Sequence, residues 1–190
     1  MTENQLTGII LSGGKSSRMG TEKGLAKFQG KPLISYAIKA LEPIVDTIII
    51  GANSELAYKE FGFDIVKDEL KNIGPIGGIL STLRYSKTAN NIILSCDTPF
   101  VSTDVLNYLY RNSKDYDVVV AAHRDNKLEP LCGFYSRNTI IDIEASIEEG
   151  NYKLQDFFKN VSFKALRVDS MPFYTNDLFF NINKPEDLIL

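Results

Sequence analysis

Short β-branched runs alternate with helical stripes along most of the chain. Residues 6–11, 47–50, 63–66, 91–95 and 117–122 are rich in Val, Ile, Leu and Ala. Apolar runs this short, with little polar alternation, predict strands buried on both faces, as in parallel sheets. Between them the apolar period changes to three and four. Pro32 opens a helix running to Leu41, with Leu33, Ala37, Ala40 and Leu41 on one stripe. A Gly74-Pro75 turn leads into a helix over residues 76–85, and Ser102 or Thr103 caps another that runs to about Asn112. Further on, the pattern predicts a strand at 128–135, a helix at 139–149 ended by Gly150, and an alternating strand at 161–168. A last short strand is expected at 179–182, with a terminal helical turn opening at Pro185.

Strands alternating with helices imply right-handed βαβ units. The expected fold is therefore α/β, a three-layer sandwich around a Rossmann-like, mostly parallel sheet. No repeat, low-complexity tract or linker divides residues 1–190, so one domain is expected. Open sheets of this kind bind ligands beyond the carboxyl ends of their strands. That rule directs attention to the loops after Leu11, Ile50, Val66 and Ser95.

Charge narrows the partners. The 21 basic and 24 acidic residues give a net charge of -3. A general nucleic-acid binder carries a basic excess to neutralise phosphate, so a small-molecule partner is expected instead. No apolar run approaches the ~20 residues that span a bilayer, and the polar N-terminus has no apolar signal core. A cytoplasmic protein is the expectation. Cys96 and Cys132 have neither metal-ligand spacing nor a disulfide framework and read as buried thiols of a reducing compartment. His123, the single histidine, reads as a loop residue beside Arg124 and Asp125, which gives no support to a Ser-His-Asp or Cys-His mechanism.

Four segments could carry chemistry. The first is Leu11-Ser12-Gly13-Gly14-Lys15-Ser16-Ser17-Arg18-Met19-Gly20-Thr21-Glu22-Lys23. Glycines after a strand let backbone amides approach an anion closely. Arg18 and Lys23 add positive charge suited to a triphosphate. Gly14-Lys15-Ser16 resembles the end of a P-loop, but that motif needs a glycine where Ile9 stands, and the G-x-G-x-x-G fingerprint is absent. The second segment is Ser95-Cys96-Asp97-Thr98-Pro99, with Asp97 just past a buried strand. Magnesium binds through one or two such carboxylates plus substrate phosphates; an Asx-turn is the competing reading. Asp68 ends its strand in the same way and either joins this site or faces solvent beside Glu69. The third, Gly74-Pro75-Ile76-Gly77-Gly78, is a plain turn or a helix N-terminus against a base or ribose. The fourth holds Asn181 and Asn183, which would share one face if that segment is a strand.

Together these segments, over residues 11–188, resemble the molybdenum cofactor guanylyltransferase family. The family's Leu-Ala-Gly-Gly, Arg-Met-Gly and Asp-Lys elements fall on Leu11 to Gly14, Arg18 to Gly20 and Glu22-Lys23. Gly74-Pro75 with Gly78, then Cys96-Asp97-Thr98-Pro99, then Asn181-Ile182-Asn183 with Pro185-Glu186-Asp187, follow in the family's order. The resemblance implies transfer of GMP from GTP to molybdopterin with release of pyrophosphate, and a fold of the nucleotidyltransferase type. It implies that Leu11, Ser12, Gly13 and Gly14 hold the nucleotide through backbone, and that Asp68 and Gly78 join them. It implies Lys23 and Arg18 on the phosphates, Asp97 on Mg2+, and Asn181 and Asn183 on the molybdopterin side. Cofactor-delivering and molybdoenzyme-chaperone proteins are the implied partners. The chain departs from the family at Ser12, which replaces an alanine, and at Glu22, which replaces an aspartate. Gly51 stands where some members carry Asn, with Asn53 nearby. Lys153 stands near the place of an arginine on the cofactor side.

The neighbouring expectations are a cytidylyltransferase acting on the same cofactor, or a sugar-phosphate nucleotidyltransferase. Gly13-Gly14 favours the guanylyl reading. A non-catalytic nucleotide- or cofactor-binding module is the alternative of another class; it would not need Lys23 or Asp97.

Overall fold

The computed structural model describes residues 5–13, 22–124 and 126–189. In chain order the strands and α-helices are β1 (Leu6–Leu11), β2 (Lys27–Phe28), β3 (Lys31–Pro32), α1 (Leu33–Leu41), β4 (Thr47–Gly51), α2 (Glu55–Tyr58), β5 (Asp64–Val66), α3 (Pro75–Tyr85), β6 (Asn90–Ser95), α4 (Thr103–Arg111), β7 (Val118–His123), β8 (Lys127–Ser136), α5 (Ile140–Glu148), α6 (Leu154–Phe157) and β9 (Phe163–Arg167). Seven strands form one sheet in the order β5-β4-β1-β6-β8-β7-β9. All pairings are parallel except those of β8, which runs antiparallel to both β6 and β7. The small β2–β3 hairpin turns at Gln29-Gly30, where both residues have positive φ.

Alternation along the central strands explains the three layers. Ile10, Ile48, Ile50, Ile92, Leu94 and Val119 pack with α1 and α4 on one face. Their neighbours Ile9, Leu11, Ile49, Ile93, Val118 and Val120 pack with α3, α5 and α6 on the other. Each such side chain, fully buried, contributes about 1.5–3 kcal/mol, so a sheet apolar on both faces needs helices on both. Among the described residues no helix is long and apolar enough to cross a membrane.

Two details bear on the site. The sheet order reverses beside β1: the chain moves outward to β4 and β5, then crosses back to β6. And β8 bulges against β7, with Val120 opposite Gly133 but Ala121 opposite Glu129, so Pro130, Leu131 and Cys132 have no partner on β7.

The 179–182 strand does not form. Phe179 and Ile182 are buried, but by packing; Phe180 N–H bonds Asp177 O as a turn, and Ile182 N–H donates to Asp97 O at 2.9 Å. The buried apolar positions of that segment mark a tether across the sheet edge. Nor is His123 a loop residue. It ends β7, buried, with Nε2 2.9 Å from Glu129 Oε1 and its ring 4.7 Å from that of Phe179.

Candidate active site

The loops that follow β1, β4, β5 and β6 converge on a cleft of about 510 Å³. Leu11 and Gly13 come from the first, Gly51 and Asn53 from the second, Asp68 from the third and Ser95 from the end of β6. The start of α3 closes one side with Gly74, Pro75 and Gly78, and the bulge of β8 places Leu131 on the wall. Gly74 has φ 77°, and Pro75 fits the first helical turn because its missing N–H would have no partner there. The N-terminal end of α3, with its unsatisfied amides, therefore borders the cleft.

Asp68 sits at the centre of the cleft's polar lining. Its Oδ2 accepts from Asn53 Nδ2 at 3.2 Å. A Cβ added at Gly78 would lie 3.2 Å from Asp68 Oδ1, and one at Gly13 would lie 3.6 Å from Oδ2. Both glycines thus leave the carboxylate accessible. At Gly51 a Cβ would be 3.0 Å from Leu11 Cδ2 and from Thr82 Cγ2, so this strand end is tight and the amide of Asn53 faces Asp68 instead.

A second cluster borders the first. Ser95 lines the cleft and its hydroxyl donates to Asp97 Oδ1 at 2.5 Å. Asp97 Oδ2 accepts from Lys23 Nζ at 2.5 Å, and Lys23 Nζ also reaches Asn183 Oδ1 at 2.7 Å. Lys23 and Asp97 are only 22% and 13% exposed, so the pair is partly screened from water. Asn183 is held by its own N–H, which donates to Asp187 Oδ2 at 2.8 Å; Lys184 N–H does the same at 3.0 Å. These two amides hold the Asp187 carboxyl below the usual carboxylate range.

A lone carboxylate with a hydroxyl and a lysine beside it fits magnesium, which keeps most of its water and shares substrate phosphates. Among the described residues no group of three or more His, Cys, Asp and Glu is assembled, so an all-protein cage is not the kind of site present.

The fold therefore brings together Leu11, Gly13, Asp68 and Gly78 in the cleft, and Lys23, Asp97 and Asn183 at its border. Asn181 and Asn183 do not share a strand face: Asn181 Nδ2 turns back onto Phe179 O at 3.2 Å, while Asn183 reaches Lys23. Lys153 is exposed ahead of α6, where its N–H bonds Asn151 Oδ1; it does not line the cleft. Gly14 and Arg18 lie outside the described residues. Ser95 opened the second segment of the sequence reading but was given no role there, and Leu131 escaped it, since a strand leucine carries no signal of its own. Ser12 differs from a backbone-only contact: its side chain is buried and hydrogen-bonded to Tyr58.

A cleft at the point where the strand order reverses, with a carboxylate on its lining and a lysine–carboxylate pair at its border, defines a nucleotide-handling transferase. The chain belongs to the MobA-like NTP transferase domain family, whose model matches residues 8–166. It is 36% identical over 184 residues to a probable molybdenum cofactor guanylyltransferase of Flavobacterium johnsoniae, covering 96% of this chain and 94% of that one. It is 32% identical over 187 residues to the molybdenum cofactor guanylyltransferase of Vibrio parahaemolyticus, covering 97% and 93%. Its structure is similar to that of molybdopterin-guanine dinucleotide biosynthesis protein A from Archaeoglobus fulgidus, with a TM-score of 0.80, 25% identity, and 96% and 95% of the two chains covered.

Proposed function

We propose that this protein transfers GMP from GTP to molybdopterin, forming the guanine dinucleotide cofactor and releasing pyrophosphate. The observation that carries this reading is the junction at Ser95, which lines the nucleotide-sized cleft and hydrogen-bonds the Asp97 carboxylate that Lys23 also holds. Residues 1–190 act in this reading as one nucleotidyltransferase domain.

Guanine and ribose occupy the cleft against the backbone of Leu11, Ser12 and Gly13, with Gly14 continuing that loop. Gly78 leaves room for them, and Asp68 accepts from donors of the nucleoside. Lys23 and Arg18 bind the phosphates. Asp97 would hold Mg2+, which when bound neutralises charge on the triphosphate. The terminal phosphate of molybdopterin attacks the α-phosphorus in line. One P–O bond forms, the bond to the β-phosphate bridging oxygen breaks, and pyrophosphate leaves with its charge matched by Lys23 and Arg18. A phosphate oxygen is already nucleophilic, so neither a covalent enzyme intermediate nor a general base is required. Asn183 stands on the acceptor side, and Asn181 and Lys153 complete that side once molybdopterin is bound. The reaction is assigned to the cytoplasm, in keeping with the unpaired, buried Cys96 and Cys132; delivery and chaperone proteins would supply and receive the cofactor.

The test supplies molybdopterin, magnesium and each labelled nucleoside triphosphate in turn, and follows pyrophosphate and the dinucleotide product. GTP should be preferred by at least about tenfold, the scale of one missing hydrogen bond to a base. Preference for CTP would reject the guanylyl assignment.

A further inference from the structure

The backbone role given to the loop after β1 leaves the Ser12 hydroxyl without a task. That hydroxyl is 3% exposed, and it is not idle. Ser12 Oγ donates to Cys96 Sγ at 3.3 Å. With its one proton used there, it accepts from the hydroxyl of Tyr58, 2.7 Å away. Tyr58, at the end of α2, has no solvent exposure, and its hydroxyl packs closely against the backbone of Gly24. Gly24 sits so close that a Cβ there would be 2.3 Å from Ser12 Oγ and 2.9 Å from the Tyr58 hydroxyl.

The ends of this relay matter. Gly24 follows Lys23 in the chain, and Cys96 precedes Asp97. The hydrogen-bonded chain Tyr58–Ser12–Cys96, packed against Gly24, therefore connects the residue after Lys23 with the residue before Asp97. Lys23 itself stands in a single 3-10 turn, Lys23–Leu25, rather than in an α-helix. Burial raises the Tyr58 hydroxyl to about 12, so it keeps its proton at neutral pH, and a buried, hydrogen-bonded chain of this kind is rigid.

We propose that the Tyr58 and Ser12 hydroxyls are positioning groups that set the placement of Lys23 against Asp97 without themselves touching substrate. The inference rests on the reading of Lys23 and Asp97 given above. It also accounts for the serine at a position where the resemblance leads one to expect alanine.

Tyr58→Phe removes the hydroxyl and keeps the ring. Its kcat should fall by roughly 10–100-fold, the scale of an ~1 Å misplacement, while KM for GTP stays within about threefold because the backbone assigned to base and ribose is left in place. Ser12→Ala should act in the same direction, and the double variant should be no slower than Tyr58→Phe alone, since both cut one relay. Crystals of Tyr58→Phe should show Lys23 Nζ beyond hydrogen-bond reach of Asp97, against contact in the wild type. A kcat within twofold of wild type, multiplicative losses in the double variant, or an unmoved Lys23–Asp97 contact each overturn the proposal. Should the wild type fail to turn over GTP with molybdopterin, the functional reading falls, and the crystallographic comparison still decides the relay.

Discussion

Asp97→Asn keeps the shape of the side chain and removes one charge. Its effect on stability and its effect on turnover separate cleanly. Lys23 loses its carboxylate partner but keeps Asn183 Oδ1 at 2.7 Å, and at 22% exposure it also reaches water. A pair mostly covered, with some access to solvent, lies between an exposed pair and a buried one, at about 1–3 kcal/mol. For a chain of 190 residues, about 1 kcal/mol lowers Tm by roughly 2–4 °C. Turnover is another matter, because in the proposed reading this carboxylate holds the Mg2+ that neutralises the phosphates. Removing one such preorganised electrostatic group lowers kcat by about 10²–10³, or roughly 2.7–4 kcal/mol. The expected signature is thus a kcat loss of at least about a hundredfold beside a Tm drop of about 2–12 °C. Pyrophosphate release at saturating GTP and molybdopterin gives the first, and thermal unfolding by circular dichroism gives the second. A kcat within about threefold of wild type would refute the assignment. A Tm drop well above about 12 °C would show that Asp97 holds the fold together, since a partly screened pair does not account for it.

Three further outcomes follow from the geometry. Gly133→Ala should destabilise by about 1–3 kcal/mol with KM for GTP unchanged, because the new Cβ would lie 2.7 Å from the Val119 carbonyl oxygen and 2.8 Å from Val120 Cγ1; the urea midpoint reads this directly. Burial pushes both thiols far above their ordinary value, Cys96 to about 12 and Cys132 further still, so native protein at mildly alkaline pH should resist iodoacetamide; stoichiometric labelling without denaturant, seen by mass spectrometry, would contradict the packing. Asp187 is held below the usual carboxylate range by the amides of Asn183 and Lys184, so the folded state binds its proton more weakly than the unfolded chain does. Its stabilising contribution is complete above about pH 4 and lost as pH falls through the depressed value. Asp187→Asn should remove that part of the acid slope in urea unfolding.

Much of the sheet was legible because its strands are buried on both faces. Residues 6–11 and 47–50 carry enough Ile and Leu that no other element explains them. The rule that ligands sit beyond strand ends pointed to the loops of Gly13, Asp68 and Asp97, and the fold brings the first two onto one cleft with Asp97 at its border. The same logic failed at 179–182. Phe179, Phe180 and Ile182 make a short apolar run broken only by Asn181, but among the described residues no β partner pairs with it, and the Ile182 N–H bond to Asp97 O ties it to the sheet edge. His123 misled for the opposite reason: its polar neighbours suggested a loop, while Glu129 and Phe179, distant in pattern but adjacent in space, bury it. Tyr58 gave no signal because a four-residue helix, Glu55–Tyr58, is too short for a periodic stripe, and its partner hydroxyl lies 46 positions away. The pairing of Lys23 with Asp97 spans 74 positions, and only topology can make it.

The bulge in β8 has a consequence for how this cleft can change over descent. Most of its boundary belongs to loops after β1, β4 and β5, and loops lengthen, shorten and exchange residues at little cost. Leu131 is different. It stands in the middle of a ten-residue strand that runs against its neighbours, clamped by Leu94 opposite Cys132 on one side and by the register shift at Val120 and Ala121 on the other. No insertion at a strand end displaces it; only a slip of the whole strand would, and that would invert every side chain along it. One side of the cleft is therefore free to be rewritten while the other serves as a fixed gauge of its width.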